Sequence, residues 1–269
     1  MQSKPTPMHK TAWVLSGGGS LGAVQVGMLQ ALVRGGLSAD LVVGASVGAL
    51  NGAFYASRPA ADGVEQLADL WRGLTRQDVF PLTLWAGLKA LLLHRDHFVE
   101  ATRLHALIRR ALTIERIEQA RVALHVIATD ALSGAEVVLS AGAIDRALLA
   151  STAIPVVFPH VRLDGRNLID GGVSANTPIA TAVKLGAQRI IVLPTGTTCA
   201  ATEPPRDMAA LALHIMSLLS MRQLDRDVAI YGSQARITIV PPLCPLSVSV
   251  FDFSHTAALI QRAADQTAA

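Results

Sequence analysis

The stretch 13–51, WVLSGGGSLGAVQVGMLQALVRGGLSADLVVGASVGALN, decides the fold of this chain. Its pattern predicts, in order, a strand at 12–16, a glycine turn at 17–19, a helix at 21–32, a strand at 41–44 and a turn into a second helix at 45–48. Two apolar strands that each lead directly into a small-residue turn and a helix are typical of a parallel α/β sheet. Because the carboxyl ends of parallel strands share one edge, we expect both turns to lie side by side.

The composition favours a single folded domain of the α/β class. The chain has 269 residues, of which 51% are apolar and 16% charged, so it can build a large core. No internal repeat and no long linker divides it, and we expect one domain over residues 11–269. Residues 1–10 contain no apolar run and are predicted to be a disordered tail.

Charge, hydropathy and cysteine usage argue against several classes of function. The net charge is only +3 and Arg109–Arg110 is the one basic pair, so no nucleic-acid partner is expected and attraction to anionic lipid is weak. The sequence contains no uninterrupted run of 18 or more apolar residues, the length that could span a bilayer. Cys199 and Cys244 lack metal-ligand spacing, which predicts two unpaired thiols, no metal or other cofactor, and a reducing, cytoplasmic compartment.

The segment Gly44-Ala45-Ser46-Val47-Gly48 matches a nucleophile elbow, in which a serine sits on a sharp turn between a strand and a helix. Small residues are needed two positions before and after the serine, because a Cβ atom there would collide with the neighbouring strand and helix. The apolar residues 41–43 and the helical pattern from 49 onward supply that context. Ser46 is therefore the candidate nucleophile.

The glycine loop that begins at Gly17 has two interpretations. As G-x-G-x-x-G, Gly17, Gly19 and Gly22 would form the phosphate loop of a nucleotide-binding module, which requires an acidic residue at the end of the second strand. That strand ends in the elbow instead. As three successive glycines at a helix start, Gly17, Gly18 and Gly19 could direct backbone amides at a developing oxyanion. The second interpretation explains both motifs together.

A nucleophilic serine needs a base, and Asp170 is the candidate that the sequence favours. It follows the apolar pair 168–169, which predicts a strand ending at the same sheet edge, and Gly171 and Gly172 let the backbone bend toward another loop. Burial can raise the pKa of such a carboxylate enough for it to act as a base. The alternative is a conventional serine esterase that uses His214 or His255, although only one strand precedes the elbow, too few for an α/β-hydrolase.

Together these motifs resemble those of the patatin-like phospholipase family, whose members are lipid acyl hydrolases with a Ser/Asp dyad. The likeness covers residues 13–193 and includes the segments 128–134 and 150–159. It implies a three-layer sandwich with a mostly parallel central sheet flanked by helices, with Ser46 as nucleophile, Asp170 as base and the amides of residues 17–19 as oxyanion hole. It also implies a substrate that is a lipid or another acyl ester.

One departure from the family pattern concerns the substrate. The family usually carries Arg or Lys directly after Gly-Gly-Gly-x, whereas this chain has Leu21. An apolar side chain there weakens the case for a phosphate close to the scissile ester and leaves a lysophospholipid or a neutral ester open. The apolar segment 81–93 is interpreted either as core or as a lid that touches lipid at the membrane periphery. Head group, chain length and oligomeric state stay undetermined.

Overall fold

The computed structural model describes residues 10–81, 97–196, 208–244, 246 and 248–269. Within them, one eight-stranded sheet has the order β5-β6-β3-β2-β1-β7-β8, with β4 paired to β3 outside that path. The strands are β1 (Thr11–Leu15), β2 (Leu41–Ala45), β3 (Ala123–Asp130), β4 (Glu136–Leu139), β5 (Val161–Leu163), β6 (Arg166–Asp170), β7 (Arg189–Leu193) and β8 (Arg236–Ile239).

Helices fill the connections between these strands. They are α1 (Gly22–Arg34), α2 (Val47–Ser57), α3 (Ala61–Gly73), α4 (Arg76–Val79), α5 (Thr102–Ala111), α6 (Ile144–Ser151), α7 (Gly172–Ala175), α8 (Ile179–Lys184), α9 (Met208–Tyr231) and α10 (Thr256–Ala268). Short 3-10 turns lie at Gly19–Leu21 and Ile117–Gln119. The three-layer sandwich expected from the sequence is confirmed.

The central strands are buried on both faces, as their continuous apolar sequences predicted. Alternate residues of β1 point to opposite sides: Trp13 and Leu15 join the larger core cluster with α1, α2, α3 and α10. Ala12 and Val14 join a second cluster with α8 and the carboxyl-terminal half of α9. The period of two along one strand therefore creates the two interfaces between the layers.

Strands β1, β2, β3, β7 and β8 run parallel, whereas β6 runs antiparallel to β3. Ala45, the last residue of β2, pairs with Ile127, and Asp170, the last residue of β6, pairs with the next residue, Ala128. Since β4 occupies the other side of β3 at these positions, β2 and β6 lie on the same side and meet end to end. Asp170 thus reaches the predicted sheet edge from the opposite direction to that of a parallel strand.

Residues 156–158 do not form a strand. Val156 forms only an isolated bridge with His97 and has a φ of 71°, and prolines at 155 and 159 remove backbone donors on both sides. The strand lies instead at β5, which forms a hairpin with β6. The hairpin turn at Asp164–Gly165 has positive φ at both residues, as a tight turn of this kind requires.

Three further expectations concern the periphery. Cys244 is disulfide-bonded, so the prediction of two unpaired thiols is wrong, while Cys199 lies outside the described residues. Residues 1–9 of the predicted tail and residues 82–93 of the predicted lid also lie outside them. Among the described helices, none combines the length and apolar character needed to cross a bilayer. The cytoplasmic location stays a prediction.

Candidate active site

Ser46 occupies the turn between β2 and α2 in a strained backbone conformation, with φ 52° and ψ −127°. Its neighbours explain why the motif needs glycine: a Cβ atom on Gly48 would overlap the carbonyl oxygen of Leu15 in β1, and one on Gly44 would overlap the backbone of α2. Strain of this kind persists only where surrounding packing fixes it. The elbow therefore holds the serine in place at the amino terminus of a helix.

The hydroxyl of Ser46 donates a hydrogen bond to Oδ2 of Asp170 at 2.6 Å. The other carboxylate oxygen, Oδ1, accepts the backbone amide of Gly172 at 2.7 Å. Both side chains are buried, with 7% and 6% exposure. The end-to-end meeting of β2 and β6 thus produces a serine–aspartate pair from residues 124 positions apart.

Burial raises the pKa of Asp170 to about 6, because the desolvated carboxyl disfavours its charged form. The hydrogen bonds from the Ser46 hydroxyl and the Gly172 amide favour the carboxylate and oppose this rise. A pKa near 6 still leaves the group ionised at neutral pH. Its basicity is then closer to what proton transfer from a serine requires than that of an exposed aspartate.

Ser151, at the end of α6, holds both halves of this pair, a role that the sequence did not suggest. Its fully buried hydroxyl oxygen accepts the backbone amide of Ser46 at 2.9 Å. Its backbone carbonyl accepts the amide of Gly171 at 3.2 Å, and the carbonyl of Ala153 accepts the amide of Asp170 at 2.9 Å. In the sequence, Ser151 is marked only by its place in the segment 150–159 of the family likeness.

Replacing Ser151 by Ala is expected to destabilise the fold by about 1–3 kcal/mol, since the buried Ser46 amide loses its acceptor. The elbow also becomes free to shift, which should lower the turnover of a suitable ester about tenfold. Thermal unfolding and initial rates measure the two effects. Ser57→Ala is the matched control, because Ser57 is buried but bonds only to Phe54 of its own helix. Equal turnover in both variants would contradict the positioning role.

The three amides of the glycine loop differ in their hydrogen bonding. The amide of Gly17 donates to the backbone carbonyl of Asn176 at 3.1 Å, so this N–H is already paired within the protein. Neither Gly18 nor Gly19 donates its amide to another described residue. Both have positive φ, 155° and 58°, and Gly19 begins the 3-10 turn that leads into α1. Their amides are the two candidate oxyanion donors.

Buried side chains fix the backbone behind this loop. The amide nitrogen of Gln25 donates to the carbonyls of Ser16 and Leu193, which joins the ends of β1 and β7. Asn51 of α2 donates to the Gln25 side chain and accepts the indole N–H of Trp71. This network ties the glycine loop to the helix that carries Ser46 at its amino terminus.

An apolar pocket opens beside Ser46. Gly19, Ser46 and Thr152 contribute the small or polar part of its wall. The remaining lining residues are aliphatic or aromatic: Val47, Leu50, Trp71, Leu74, Val79, Phe80, Leu104, Leu107, Ile154, Phe158 and Phe253. A group bound in this pocket therefore meets hydrocarbon on most sides and the serine and the glycine loop at one point.

The alternative candidates do not share the hydrogen bond of the Ser46 hydroxyl. His255 is 56% exposed and lies 3.6 Å from Asp252, and His214 lies on α9, while the Ser46 hydroxyl proton is directed at Asp170. Gly22 supports helix packing, since a Cβ atom there would overlap Val47 and Trp71. No acidic residue ends β2, as the nucleotide-binding interpretation required.

Leu21 packs partly buried against the larger core cluster and is not among the described residues that line the pocket. Its contact with substrate stays a prediction. Among the described residues, no three His, Cys, Asp or Glu side chains gather as they would around a metal ion.

A buried serine on a strained turn between β2 and α2 has the geometry of a nucleophile elbow on an α/β sheet. Comparison with known sequences identifies the family. A family model for patatin-like phospholipases matches residues 13–183. The chain belongs to the patatin-like phospholipase family, as the motifs predicted.

Named relatives agree with this family. An uncharacterized NTE family protein of Mycobacterium tuberculosis is 30% identical over 185 residues, which cover 68% of this chain and 48% of that protein. Human patatin-like phospholipase domain-containing protein 6 is 29% identical over 188 residues, 69% of this chain but 13% of the human protein. The chain thus matches about half of the mycobacterial relative and a small part of the human one.

A solved structure shows the same fold at low sequence identity. Human GIVD cytosolic phospholipase A2, determined in complex with methyl γ-linolenyl fluorophosphonate, superposes with a TM-score of 0.50 and 10% identity. The match covers 97% of this chain and 57% of that protein. At this identity the likeness establishes the architecture.

Proposed function

We propose that this protein is a serine acyl hydrolase that cleaves carboxylic esters of lipids through Ser46 and Asp170. The observation that carries the proposal is the buried 2.6 Å hydrogen bond from the Ser46 hydroxyl to Asp170, beside an apolar pocket. Membership of the patatin-like phospholipase family supports the same reaction class.

In the first half of the reaction Asp170 accepts the Ser46 proton while the serine oxygen attacks the ester carbonyl carbon. The carbonyl oxygen becomes an oxyanion, and the amides of Gly18 and Gly19 at the start of a helical segment stabilise it. As the tetrahedral intermediate collapses, the carbon–oxygen bond to the alcohol breaks and Asp170 returns its proton to the leaving alkoxide. The acyl group is then bonded to Ser46.

In the second half Asp170 accepts a proton from water, and the resulting hydroxide attacks the acyl–serine ester. The same two amides stabilise the second oxyanion. Collapse of this intermediate releases the carboxylic acid, and Asp170 returns the proton to the Ser46 oxygen. Protons and bonds balance with water as the only co-substrate.

The pocket supports a long apolar acyl chain as the part of the substrate that is recognised. Eleven of its 14 lining residues are aliphatic or aromatic and none is charged. Burial of each methylene stabilises binding by roughly 0.8 kcal/mol. Since the described lining is mostly apolar, we expect long-chain esters, lysophospholipids and neutral esters among them, to be better substrates than short water-soluble esters of the same alcohol.

A fluorophosphonate probe tests the proposal directly, because it forms a stable bond only with an activated serine. The wild-type protein is expected to be labelled and to release acid from long-chain esters, and Ser46→Ala is expected to do neither. Ser57→Ala, which changes a buried serine outside the pocket, should behave as wild type. A wild-type protein that neither reacts with the probe nor hydrolyses any ester in a panel of chain lengths and head groups would refute the proposal.

A further inference from the structure

The amino-terminal half of α9 exposes apolar side chains on the side that faces solvent. Its most exposed member is Leu219, at 60%, and the others are Leu211, Ile215, Met216 and Leu218. Counting about 100° per residue, these five side chains fall within an arc of about 160°. Leu224, Val228 and Tyr231, which pack on the core, project from the opposite side.

This half-helix carries apolar residues on its solvent side, where an ordinary surface helix carries polar and charged ones. Ser217 and Ser220 lie on the opposite side, the one that packs on the core in the second half of the helix. The Ser220 hydroxyl donates to the carbonyl of Met216 in the same helix. From 208 to 221 the sequence contains no Asp, Glu, Lys or Arg. A helix with its apolar side outward needs an apolar environment there.

This exposed face lies at the sheet edge that carries the active site. The chain leaves β7 at this edge, where the hydroxyl of Thr195 bonds to the carbonyl of Gly17, and α9 returns it to the start of the parallel strand β8. Gln223 of α9 bonds to the carbonyl of Ser174, four residues after Asp170. At 1.5 Å per residue, Leu211 then lies about 18 Å farther along the helix, past the edge.

Other elements add to the apolar character of the same edge. Leu132, in the turn after β3, is 88% exposed. Val173, three residues after Asp170, is 41% exposed. Arg222 and Arg226 project from the same side of α9 as the apolar arc, about one and two turns beyond Leu219. Asp225 lies at the border of that side, and Arg226 is 3.8 Å from the buried Asp227. Arginines at this depth fit the headgroup level of a lipid surface.

We propose that the amino-terminal half of α9 inserts into a lipid surface and brings the mouth of the active site to substrate within that surface. The proposal rests on the proposed function for the arrival of a lipid ester at this edge. A lipid surface is the occupant that fits, because it accepts an apolar arc without requiring polar partners and offers phosphates to the arginines that follow it.

The test compares Ile215→Glu and Leu219→Glu with Ile230→Glu. Ile230 lies on the same side of the same helix and is 50% exposed, close to the 47% of Ile215, but it lies at the opposite end. All three are made in the Ser46→Ala background and sedimented with phosphatidylcholine vesicles, with and without phosphatidylglycerol. We expect each of the first two changes to weaken vesicle binding about tenfold or more and the third to leave it unchanged.

The same variants in the active protein separate this proposal from the proposed function. Hydrolysis of a monomeric short-chain ester should stay within about twofold of wild type, while hydrolysis of a vesicle-embedded ester should fall with binding. Vesicle binding by wild type that is absent, or equal in all three variants, would overturn the proposal even if ester hydrolysis were intact. A stable dimer that Leu219→Glu dissociates would overturn it in favour of a second copy as the occupant.

Discussion

Asp170→Asn is expected to lower ester hydrolysis by about 10³-fold or more while the protein stays folded. The amide can keep an oxygen toward the Gly172 N–H and place its NH₂ group against the Ser46 hydroxyl, so the packing is preserved. It cannot accept the serine proton, and the nucleophile remains a neutral alcohol. Initial rates on a long-chain ester measure the loss, and turnover within about tenfold of wild type would contradict the role of Asp170 as base.

The same substitution is expected to raise stability at alkaline pH, which distinguishes lost chemistry from lost folding. The pKa of Asp170 is about 6 in the folded protein and about 4 when unfolded, so the folded state binds the proton more tightly. The contribution of Asp170 to the free energy of unfolding therefore falls by about 3 kcal/mol as pH rises from about 4 to about 6. Asn lacks this dependence.

We expect the melting temperature of Asp170→Asn to exceed that of wild type by about 5 °C above pH 7 and the two to converge near pH 4. In the wild type, activity requires the carboxylate, so kcat/KM should rise as pH rises through about 6. A melting temperature that is lower for Asn at every pH would show that the carboxylate stabilises the fold, contrary to its burial.

The sequence predicted the site well where each residue depends on local backbone geometry. The elbow needs a strand, a small residue, a serine and a helix in immediate succession, and all of these are visible within residues 41–51. The sterically required glycines of that turn, Gly44 and Gly48, followed from the same local argument, and both prove to be in close contact with backbone.

The parts that the sequence did not reveal depend on pairing between distant segments. β6 runs antiparallel to the part of β3 that extends beyond the end of β2 at Ala45. Nothing in the sequence of residues 166–170 predicts this direction. The pairing of the Gly17 amide depends on Asn176, and the support of Ser46 by Ser151 spans 105 residues. Such contacts are fixed by the register of the sheet, which local patterns do not specify.

Gly18→Ala is expected to lower kcat by about 10² to 10³-fold with a small effect on KM. A Cβ atom on Gly18 would overlap the side chain of Thr195, whose hydroxyl is itself bonded to the carbonyl of Gly17, so the loop must move. At φ 155° the backbone is also one that an L-residue rarely adopts. Both effects displace the Gly18 and Gly19 amides from the oxyanion. Because the oxyanion forms only during the reaction, this displacement lowers kcat and leaves substrate binding nearly unchanged.

Gly36→Ala provides the matched control for this experiment. Gly36 also has a positive φ, 75°, but a Cβ atom there meets nothing within 4 Å. This change should cost about 1 kcal/mol of stability through backbone strain alone and leave kcat unaltered. If Gly18→Ala folds as well as Gly36→Ala and keeps kcat within about threefold of wild type, the oxyanion is stabilised by donors other than this loop, because a displaced pair of amides would cost far more.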